Sequence, residues 1–219
     1  MVKGKAEDEA VNSTSSPTVF VVDDDISVRE SLELLIGSAG WRAVVCASGA
    51  EFLSRPRVPT ASCLILDVAL PDLDGFDLQK LVADRCDLPI IFLTAHHDVP
   101  MTVRAMKAGA VEFLTKPFDE QVLLHAVRQA IDKSRAAVAR EAEIRALREC
   151  YASLSQREKQ VMALVVSGLL NKQVGAELGI SEVTVKAHRG VVMRKMKAAS
   201  LPDLVYMTAR LGLAPADQA

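Results

Sequence analysis

The chain has 219 residues and a formal net charge of −2, and 50% of its residues are hydrophobic. This composition excludes wholesale disorder and suffices for one large domain or two small ones. The charge is unevenly placed, because residues 17–133 hold 11 basic and 17 acidic side chains whereas residues 150–219 hold 9 and 5. An acidic body followed by a basic end predicts two domains with different partners.

The N-terminal and cysteine patterns predict a cytoplasmic protein. Residues 1–16 are polar and lack the apolar stretch of a signal peptide, which predicts a disordered tail. No apolar run approaches the ~18 residues of a membrane span, so no membrane partner is expected. The four cysteines form no C-x-x-C pair. We interpret them as buried or half-buried thiols in a reducing compartment, since no pattern supports the alternative of a redox switch.

Between Thr18 and Lys133, short apolar segments alternate with segments of helical pattern. The predicted strands are residues 18–23, 42–46, 62–67, 88–94 and 111–116. Parallel strands need crossover connections, and helices in those crossovers bury both faces of the sheet. The alternation therefore predicts an α/β domain with a five-stranded, doubly wound parallel sheet.

Charged and hydroxyl side chains end four of the predicted strands. The run Asp23–Asp25 closes the first strand, Asp67 the third, Thr94 the fourth and Lys116 the fifth. Ligands of such sheets bind at the carboxyl ends of the strands, and crowded carboxylates repel one another unless a cation joins them. Carboxylate oxygens suit Mg²⁺ or Mn²⁺, and a carboxylate can act as a nucleophile toward a phosphoryl group. These strand ends predict phosphoryl acceptance at Asp67, with Lys116 neutralising charge.

The segments "VVDD", "LILD…PDLDG", "LTA" and "KPF", in this order and spacing, resemble a response-regulator receiver domain over residues 17–133. The resemblance implies a flavodoxin-like fold and transfer of a phosphoryl group to Asp67 from a sensor histidine kinase. It also implies a metal site formed by Asp23, Asp24 and Asp67 with the backbone carbonyl of Ala69.

The same resemblance implies roles near the fourth and fifth strands. Lys116 is expected to contact the phosphoryl group, and a cis peptide bond is expected before Pro117. Thr94 and Phe113 match the switch pair that rearranges on phosphorylation. Asp25 matches no required role, and we expect it to be structural.

Two positions depart from the receiver pattern. Ala69, two residues beyond Asp67, is often polar or basic in relatives, and His96 stands two residues beyond Thr94. Both positions flank the path of a water molecule attacking the phosphoryl group. The departures predict an unusual hydrolysis rate without indicating its direction.

A helix without Gly or Pro begins near Asp119 and continues to about Tyr151. The segment is rich in Ala, Glu and Arg, which favour helix. We interpret residues 134–152 as a helical linker. A dimeric coiled coil is the alternative, although its heptad pattern is interrupted.

Residues 153–219 show four short helical segments, which predict an all-α four-helix domain. Their boundaries are marked by Ser155, Gly168, Asn171, Gly179, Ser181 and Ser200. Ser155 begins a capping box, S-x-x-E, and Asn171 and Ser181 are the predicted N-caps of the second and third helices. Two helices joined by a tight Gly-containing turn form a helix-turn-helix.

The third of these helices is predicted to have a buried side and a basic side. The core positions are Val185, His188, Val192 and Met196. The opposing stripe contains Glu182, Lys186, Arg189, Met193 and Lys197, with Arg194 and Lys195 beside it. A basic helix can enter the major groove of DNA, although a solvated charged face is the alternative for a lone helix. We interpret His188 as a core or capping histidine.

Residues 154–212 resemble the LuxR-type helix-turn-helix of the NarL/FixJ response regulators through "LSQREKQVMALVVSGLLNKQVGAELGISEVTVKAHRGVVMRKM". The resemblance implies binding to promoter DNA and dimerisation through the final helix. The implied contacts are to DNA bases from Lys186 and Ala187 and to phosphates from Lys172, Thr184 and Arg189, with Gly190 and Arg194 on the same side. Gly190 replaces a larger residue of many relatives, which predicts relaxed base readout or close backbone approach.

Together the two resemblances predict a phosphorylation-dependent transcriptional regulator, and "DVPMTVRAMKAGAVEFLTKPF" favours the FixJ branch. In that branch, phosphorylation is expected to shift the population toward a homodimer that binds promoter DNA and acts on RNA polymerase. The protein is not predicted to be an enzyme, beyond assisting its own phosphoryl transfer and dephosphorylation.

Three other functions are less consistent with the sequence. A haloacid-dehalogenase-like phosphatase also uses a strand-end Asp with Mg²⁺, but it needs D-x-D, and Ala69 occupies the second position. A regulator that binds DNA constitutively or by ligand, with a vestigial receiver, conflicts with the complete set of acid, Thr and Lys. RNA binding conflicts with the lack of an aromatic stacking pattern between residues 150 and 219.

Overall fold

A computed structural model describes residues 16–95 and 98–213. The chain divides after Ala139 into two compact units. Within the described ranges, no helix is long and apolar enough to cross a membrane. The predicted polar tail lies outside this part of the chain, apart from Ser16.

The first unit contains a sheet of parallel strands. The strands are β1 (Thr18–Val22), β2 (Arg42–Cys46), β3 (Ser62–Asp67), β4 (Ile90–Thr94) and β5 (Glu112–Thr115). The helices that begin in this unit are α1 (Ile26–Ser38), α2 (Gly49–Ser54), α3 (Gly75–Leu81), α4 (Val99–Lys107) and α5 (Glu120–Ala152), the last of which continues past Ala139. The strand order is β2-β1-β3-β4-β5, and every neighbouring pair is parallel. The predicted five-stranded parallel sheet is confirmed.

Helices cover both faces of this sheet because successive strand residues point to opposite sides. On one face, Phe20 of β1 shares a core cluster with Phe52 of α2. On the other face, Val21 shares a cluster with Leu32 of α1 and Val127 of α5. The predicted doubly wound arrangement is therefore confirmed.

The carboxylate of Asp25 begins helix α1. Its Oδ1 accepts a hydrogen bond from the backbone N–H of Ser27 at 2.8 Å. This N-cap bond satisfies a free helix N–H and lowers the pKa of the Asp25 carboxyl. Gly40 follows the last turn with φ +82°, a conformation that favours glycine. The structural role expected for Asp25 is confirmed.

Helix α5 is 33 residues long, as the missing Gly and Pro predicted. Its buried side chains lie between Leu123 and Ser134. The Ser134 hydroxyl accepts a hydrogen bond from Ser62 N at 2.9 Å and donates to the carbonyl oxygen of Asp87. Packing against the sheet thus includes the first residue of the predicted linker. The coiled coil stays a prediction.

The cysteines differ in exposure. Cys46 and Cys63 are buried and Cys150 is partly buried, as predicted. Burial raises the pKa of the Cys63 thiol to about 12, which keeps it unreactive. Cys86 was predicted to be at least half-buried, and this is wrong, because it lies exposed in the turn before β4.

The second unit contains helices α6 (Gln156–Val166), α7 (Asn171–Leu178), α8 (Glu182–Met196) and α9 (Leu201–Arg210), in the predicted order. The capping box is confirmed: Ser155 Oγ accepts from Glu158 N, and the Glu158 carboxylate accepts from Ser155 N at 2.7 Å. Gly179 ends α7 with φ +66°. Gly175 allows a close approach, because a Cβ there would lie 2.7 Å from the carbonyl oxygen of Ile180.

Two details of the helix predictions are wrong. Leu170, and not Asn171, is the N-cap of α7, and the Gln173 side chain accepts a hydrogen bond from Leu170 N at 2.8 Å. The Asn171 Oδ1 instead accepts from Arg189 Nη1 at 3.3 Å. Met193 was predicted on the exposed stripe but packs against the core of the unit, where burying its apolar side chain is favourable.

Candidate functional site

Three strands bring charged side chains together at the carboxyl edge of the sheet. Asp23 follows β1, Asp67 ends β3 and Lys116 follows β5. The Lys116 ammonium lies 2.6 Å from Asp23 Oδ2 and 2.5 Å from Asp67 Oδ2. Only 1% of Asp23 and 7% of Asp67 are exposed. We call Asp23, Asp24, Asp67 and Lys116 the acidic rim.

The backbone orients both buried carboxylates of the acidic rim. Asp23 Oδ1 accepts a hydrogen bond from Asp25 N at 3.0 Å, and Asp67 Oδ1 accepts from Ala69 N at 2.9 Å. Each carboxylate therefore has one oxygen bonded to the backbone and the other to Lys116. The Arg29 guanidinium also donates to the carbonyl oxygen of Asp23, at 2.7 Å. Such double anchoring limits side-chain rotation before any ligand arrives.

Burial and charge act against each other in the acidic rim. Burial raises the pKa of the Asp23 carboxyl, although the hydrogen bond from Lys116 opposes the rise. Burial lowers the pKa of the Lys116 ammonium, but its hydrogen bonds to Asp23 and Asp67 outweigh that effect and leave the pKa raised. Lys116 therefore stays protonated and remains available to neutralise an incoming anion.

The acidic rim has the composition of a magnesium site. One carboxylate oxygen from each of Asp23, Asp24 and Asp67 lies within 4.8 Å of the others. Asp24 is exposed while its two neighbours are buried, so the oxygen cluster opens to solvent on one side. Magnesium prefers oxygen ligands and retains several waters, and these residues satisfy both requirements.

Gly75, the first residue of α3, lies against the backbone of Asp67 and Val68 at the end of β3. A Cβ at this position would lie 2.6 Å from the Asp67 carbonyl oxygen and 3.0 Å from Val68 Cα. The backbone of Gly75 also donates a hydrogen bond to the Val68 carbonyl oxygen at 2.9 Å. Sequence reasoning assigned Gly75 no role, although it ends the segment "PDLDG" that carried the resemblance.

The predicted switch pair lies on neighbouring strands. Thr94 ends β4 and is 2% exposed, and its carbonyl oxygen accepts a hydrogen bond from Lys116 N at 2.7 Å. Phe113 of β5 pairs in register with Phe92, with ring centroids 6.2 Å apart. The Lys116–Pro117 peptide bond is cis, as expected. Ala69 is exposed beside Asp67, whereas His96 lies outside the described residues.

In the second unit, the predicted DNA-binding residues differ in how freely they reach solvent. Those that are exposed are Lys172, Thr184, Lys186, Ala187, Gly190 and Arg194. The Lys186 ammonium lies 3.0 Å from Glu182 Oε1 in an exposed pair one helical turn apart. Arg189 is only partly exposed and is held by Asn171.

Lys195 has a structural partner that sequence reasoning missed. Its ammonium lies 2.7 Å from Glu158 Oε2 and also donates to the Ser153 carbonyl oxygen at 3.1 Å. The hydrogen bond from Lys195 lowers the pKa of the Glu158 carboxyl. This ion pair connects α8 to the capping box of α6. His188 is partly buried, in agreement with a core or capping position.

Two families match the chain. Residues 19–128 match the family "Response regulator receiver domain", and residues 152–208 match "Bacterial regulatory proteins, luxR family". The chain belongs to the response regulators that join a receiver domain to a LuxR-type DNA-binding domain. It is a transcriptional regulator of the two-component type.

Relatives extend over nearly the whole chain. Nodulation protein W of Bradyrhizobium diazoefficiens is 48% identical over 202 residues, covering 92% of this chain and 89% of that protein. Transcriptional regulatory protein FixJ of Azorhizobium caulinodans is 44% identical over 202 residues, covering 92% and 96%. These similarities confirm the predicted FixJ-like family.

Two solved structures of response regulators are similar to this chain over nearly its whole length. The response regulator StyR is 47% identical, covers 90% of this chain and 100% of its own, and has a TM-score of 0.77. Full-length FixJ from B. japonicum is 39% identical, covers 92% and 100%, and has a TM-score of 0.53.

Proposed function

We propose that this response regulator accepts a phosphoryl group on Asp67 from a sensor histidine kinase and binds promoter DNA as a phosphorylation-dependent homodimer. The observation that best supports this proposal is that the Lys116 ammonium pairs with the buried carboxylates of both Asp23 and Asp67. A buried lysine–carboxylate cluster beside an open oxygen site is suited to receive a phosphoryl group.

In the proposed reaction, an oxygen of Asp67 attacks the phosphorus, and the bond from phosphorus to the kinase histidine nitrogen breaks. Lys116 neutralises charge on the phosphoryl oxygens. Asp23, Asp24, Asp67 and the Ala69 carbonyl would hold Mg²⁺, which supplies further charge neutralisation. The receiver thereby assists its own phosphoryl transfer, and later its hydrolysis, without acting on an external substrate.

The phosphorylation signal is proposed to leave the acidic rim through Thr94 and Phe113. Thr94 supports this role because its backbone is bonded to Lys116. Repacking of this pair would favour pairing of two receivers. The paired DNA-binding domains would then contact bases through Lys186 and Ala187.

Phosphate contacts and domain limits complete the proposal. Phosphate contacts are proposed for Lys172, Thr184, Arg189 and Arg194, with close backbone approach at Gly190.

We place the receiver at residues 17–133, the linker at 134–152 and the DNA-binding domain at 153–219. The promoter-bound dimer would act on RNA polymerase. Because the proposed target is promoter DNA, the site of action would be the cytoplasm.

The test is a phosphate-affinity gel of the full chain after incubation with acetyl phosphate, with and without Mg²⁺. Wild type should give a Mg²⁺-dependent shifted band, and Asp67→Asn should give none. Asp84→Asn is a matched control, because Asp84 forms an exposed ion pair with Arg57 at 2.9 Å. A band that persists in Asp67→Asn, or no band in folded wild type, would contradict phosphoryl acceptance at Asp67.

A second measurement separates this proposal from a regulator with a vestigial receiver. Sedimentation and DNA binding of wild type are compared before and after the same treatment. We expect a larger species and tighter DNA binding after phosphorylation. Unchanged mass and affinity, despite a shifted band, would support DNA binding that is independent of phosphorylation.

A further inference from the structure

Over the first half of helix α8, one exposed face carries few polar side chains. Residues at spacings of three, four and seven share one side of a helix. The exposed residues at that spacing are Val183, Lys186, Ala187 and Gly190, which we call the groove face. Of these four positions, one carries a charge. The opposite side of the helix is buried through Val185, Val192 and Met196.

Val183 is the least expected member of the groove face. It is 76% exposed although its side chain is wholly apolar. It stands in the first turn of α8, and this end of a recognition helix reaches base edges in helix-turn-helix proteins. A β-branched side chain in a helix has one strongly preferred rotamer, so Val183 would lose little conformational freedom on contact.

The polar groups around Val183 already have partners. The Thr184 hydroxyl lies 2.8 Å from Ser181 Oγ, which also accepts from Thr184 N as the N-cap of α8. The Lys186 ammonium lies 3.0 Å from Glu182 Oε1. The start of α8 therefore presents hydrocarbon between two satisfied polar pairs.

The rest of the groove face has little side-chain bulk. Ala187 contributes a single methyl group, and a Cβ built at Gly190 would meet nothing within 4 Å. Little side-chain bulk there allows the helix backbone to approach a ligand closely. The thymine C5-methyl is the apolar group that the major groove presents, and small apolar side chains contact it.

We propose that Val183, with Ala187 beside it, reads a thymine C5-methyl group and is a specificity-determining residue for the promoter. The inference rests on the proposed DNA binding and adds the base that the exposed valine selects. Lys186 would supply the polar contact on the same face, and the phosphate contacts would position the helix without selecting sequence.

The experiment begins with a duplex selected from a random pool by the full chain treated with acetyl phosphate and Mg²⁺. Each thymine is then replaced in turn by deoxyuridine, which removes only the methyl group, and affinity is measured by fluorescence anisotropy. At one thymine of each half-site, replacement by deoxyuridine should weaken wild-type binding about fourfold, as expected for the loss of one buried methyl contact. Val183→Ala, which removes both γ-methyl groups of the valine, should reduce this fourfold preference.

Two control variants make the result specific. Leu53→Ala truncates another exposed apolar side chain, on α2 of the first unit, and should keep the fourfold preference. Lys172→Ala should weaken binding to both duplexes by the same factor, because a phosphate contact carries no base preference. Circular dichroism checks that each variant is folded.

The outcomes separate the two proposals. Equal wild-type affinity for thymine and deoxyuridine at every position, or a fourfold preference that is undiminished in Val183→Ala, would overturn thymine reading while leaving DNA binding intact. Failure of the treated protein to enrich any sequence would overturn the proposed promoter binding as well.

Discussion

In the acidic rim, Lys116 lies within 2.6 Å of two buried carboxylates. On α8, the ammonium of Lys186 pairs with an exposed carboxylate, that of Glu182, at 3.0 Å. Charges removed from water interact strongly, and losing one leaves its partner uncompensated, whereas an exposed pair is worth little. Lys186 can therefore exchange Glu182 for DNA at small cost, while Lys116 cannot leave its carboxylates without replacement.

This contrast reflects what each site must bind. A phosphoryl acceptor needs its groups oriented before the ligand arrives, because charge neutralisation depends on short distances. A DNA-reading helix must instead keep its contact groups open to a large partner, and its own fold depends on the opposite, buried side. Substitutions in the acidic rim should therefore affect stability and function together, and substitutions on the groove face should affect mainly affinity.

The largest expected effect on stability is that of Lys116→Ala. Removing the ammonium leaves the carboxylates of Asp23 and Asp67 without a counter-ion and should destabilise the first unit by roughly 3 kcal/mol. Urea unfolding followed by the fluorescence of Trp41, the single tryptophan, measures this unit. Added Mg²⁺ should restore part of the loss, because a cation then joins the carboxylates again.

Lys80→Ala is the matched control for that prediction. Lys80 lies 2.6 Å from Asp77, much like Lys116 from its partners, but its side chain is 68% exposed. Solvent screens this pair, so its loss should leave the urea midpoint unchanged. Equal destabilisation by the two substitutions would contradict the contrast between buried and exposed charge.

An intermediate effect is expected at two glycines. In Gly75→Ala the new Cβ would meet the Asp67 carbonyl oxygen at 2.6 Å. This clash should lower the free energy of unfolding by about 1–3 kcal/mol and slow phosphorylation by acetyl phosphate.

In Gly190→Ala the new Cβ meets open space within α8. The free energy of unfolding of the second unit should therefore rise by about 0.5–1 kcal/mol. Urea unfolding by circular dichroism checks both. A tolerated Gly75→Ala or a destabilising Gly190→Ala would argue against the described packing.

The smallest expected effect is pH-dependent and concerns the ion pair between Lys195 and Glu158. The hydrogen bond from Lys195 holds the pKa of Glu158 below its ordinary value of 4.5. Its contribution to stability is therefore present above pH 4.5 and is lost as the pH falls through the lowered pKa. Glu158→Gln should accelerate amide exchange of α6 several-fold at pH 7, and the difference from wild type should shrink in acid. Glu177→Gln, on the exposed side of α7, should show no such difference. If the faster exchange in Glu158→Gln did not depend on pH, the ion pair with Lys195 would not contribute, and the effect would come from the N-cap hydrogen bonds alone.

Much of the acidic rim was predictable from the sequence because parallel strands end at a common edge. Asp23, Asp67 and Lys116 each follow an apolar run, so the topology alone brings them together. The same local logic correctly predicted the capping box at Ser155, whose hydrogen bonds span three residues. Asp25 was also correctly predicted to have a structural role, unlike Asp23 and Asp24, and its carboxylate caps α1.

Other contacts were not predictable because their partners are distant in sequence. The bond from Lys195 to Glu158 crosses 37 residues, and that from Arg189 to Asn171 crosses 18. Helical periodicity placed Met193 on the exposed side, yet a long apolar side chain at the margin of a stripe can turn toward the core. Gly75 likewise could not be recognised from the sequence, because the need for glycine there comes from the close contact between the start of α3 and the backbone at the end of β3.

By itself, the sequence determined the order of strands and helices, the charged residues at the sheet edge and the basic character of α8. Those features depend on periodicity, caps and strand ends, which act over a few residues. Tertiary structure decided which charges are buried and paired, which glycines must remain glycine and which apolar residue of α8 stays exposed. Burial is a property of the surroundings, and the surroundings of a residue are set by packing between segments far apart in the chain.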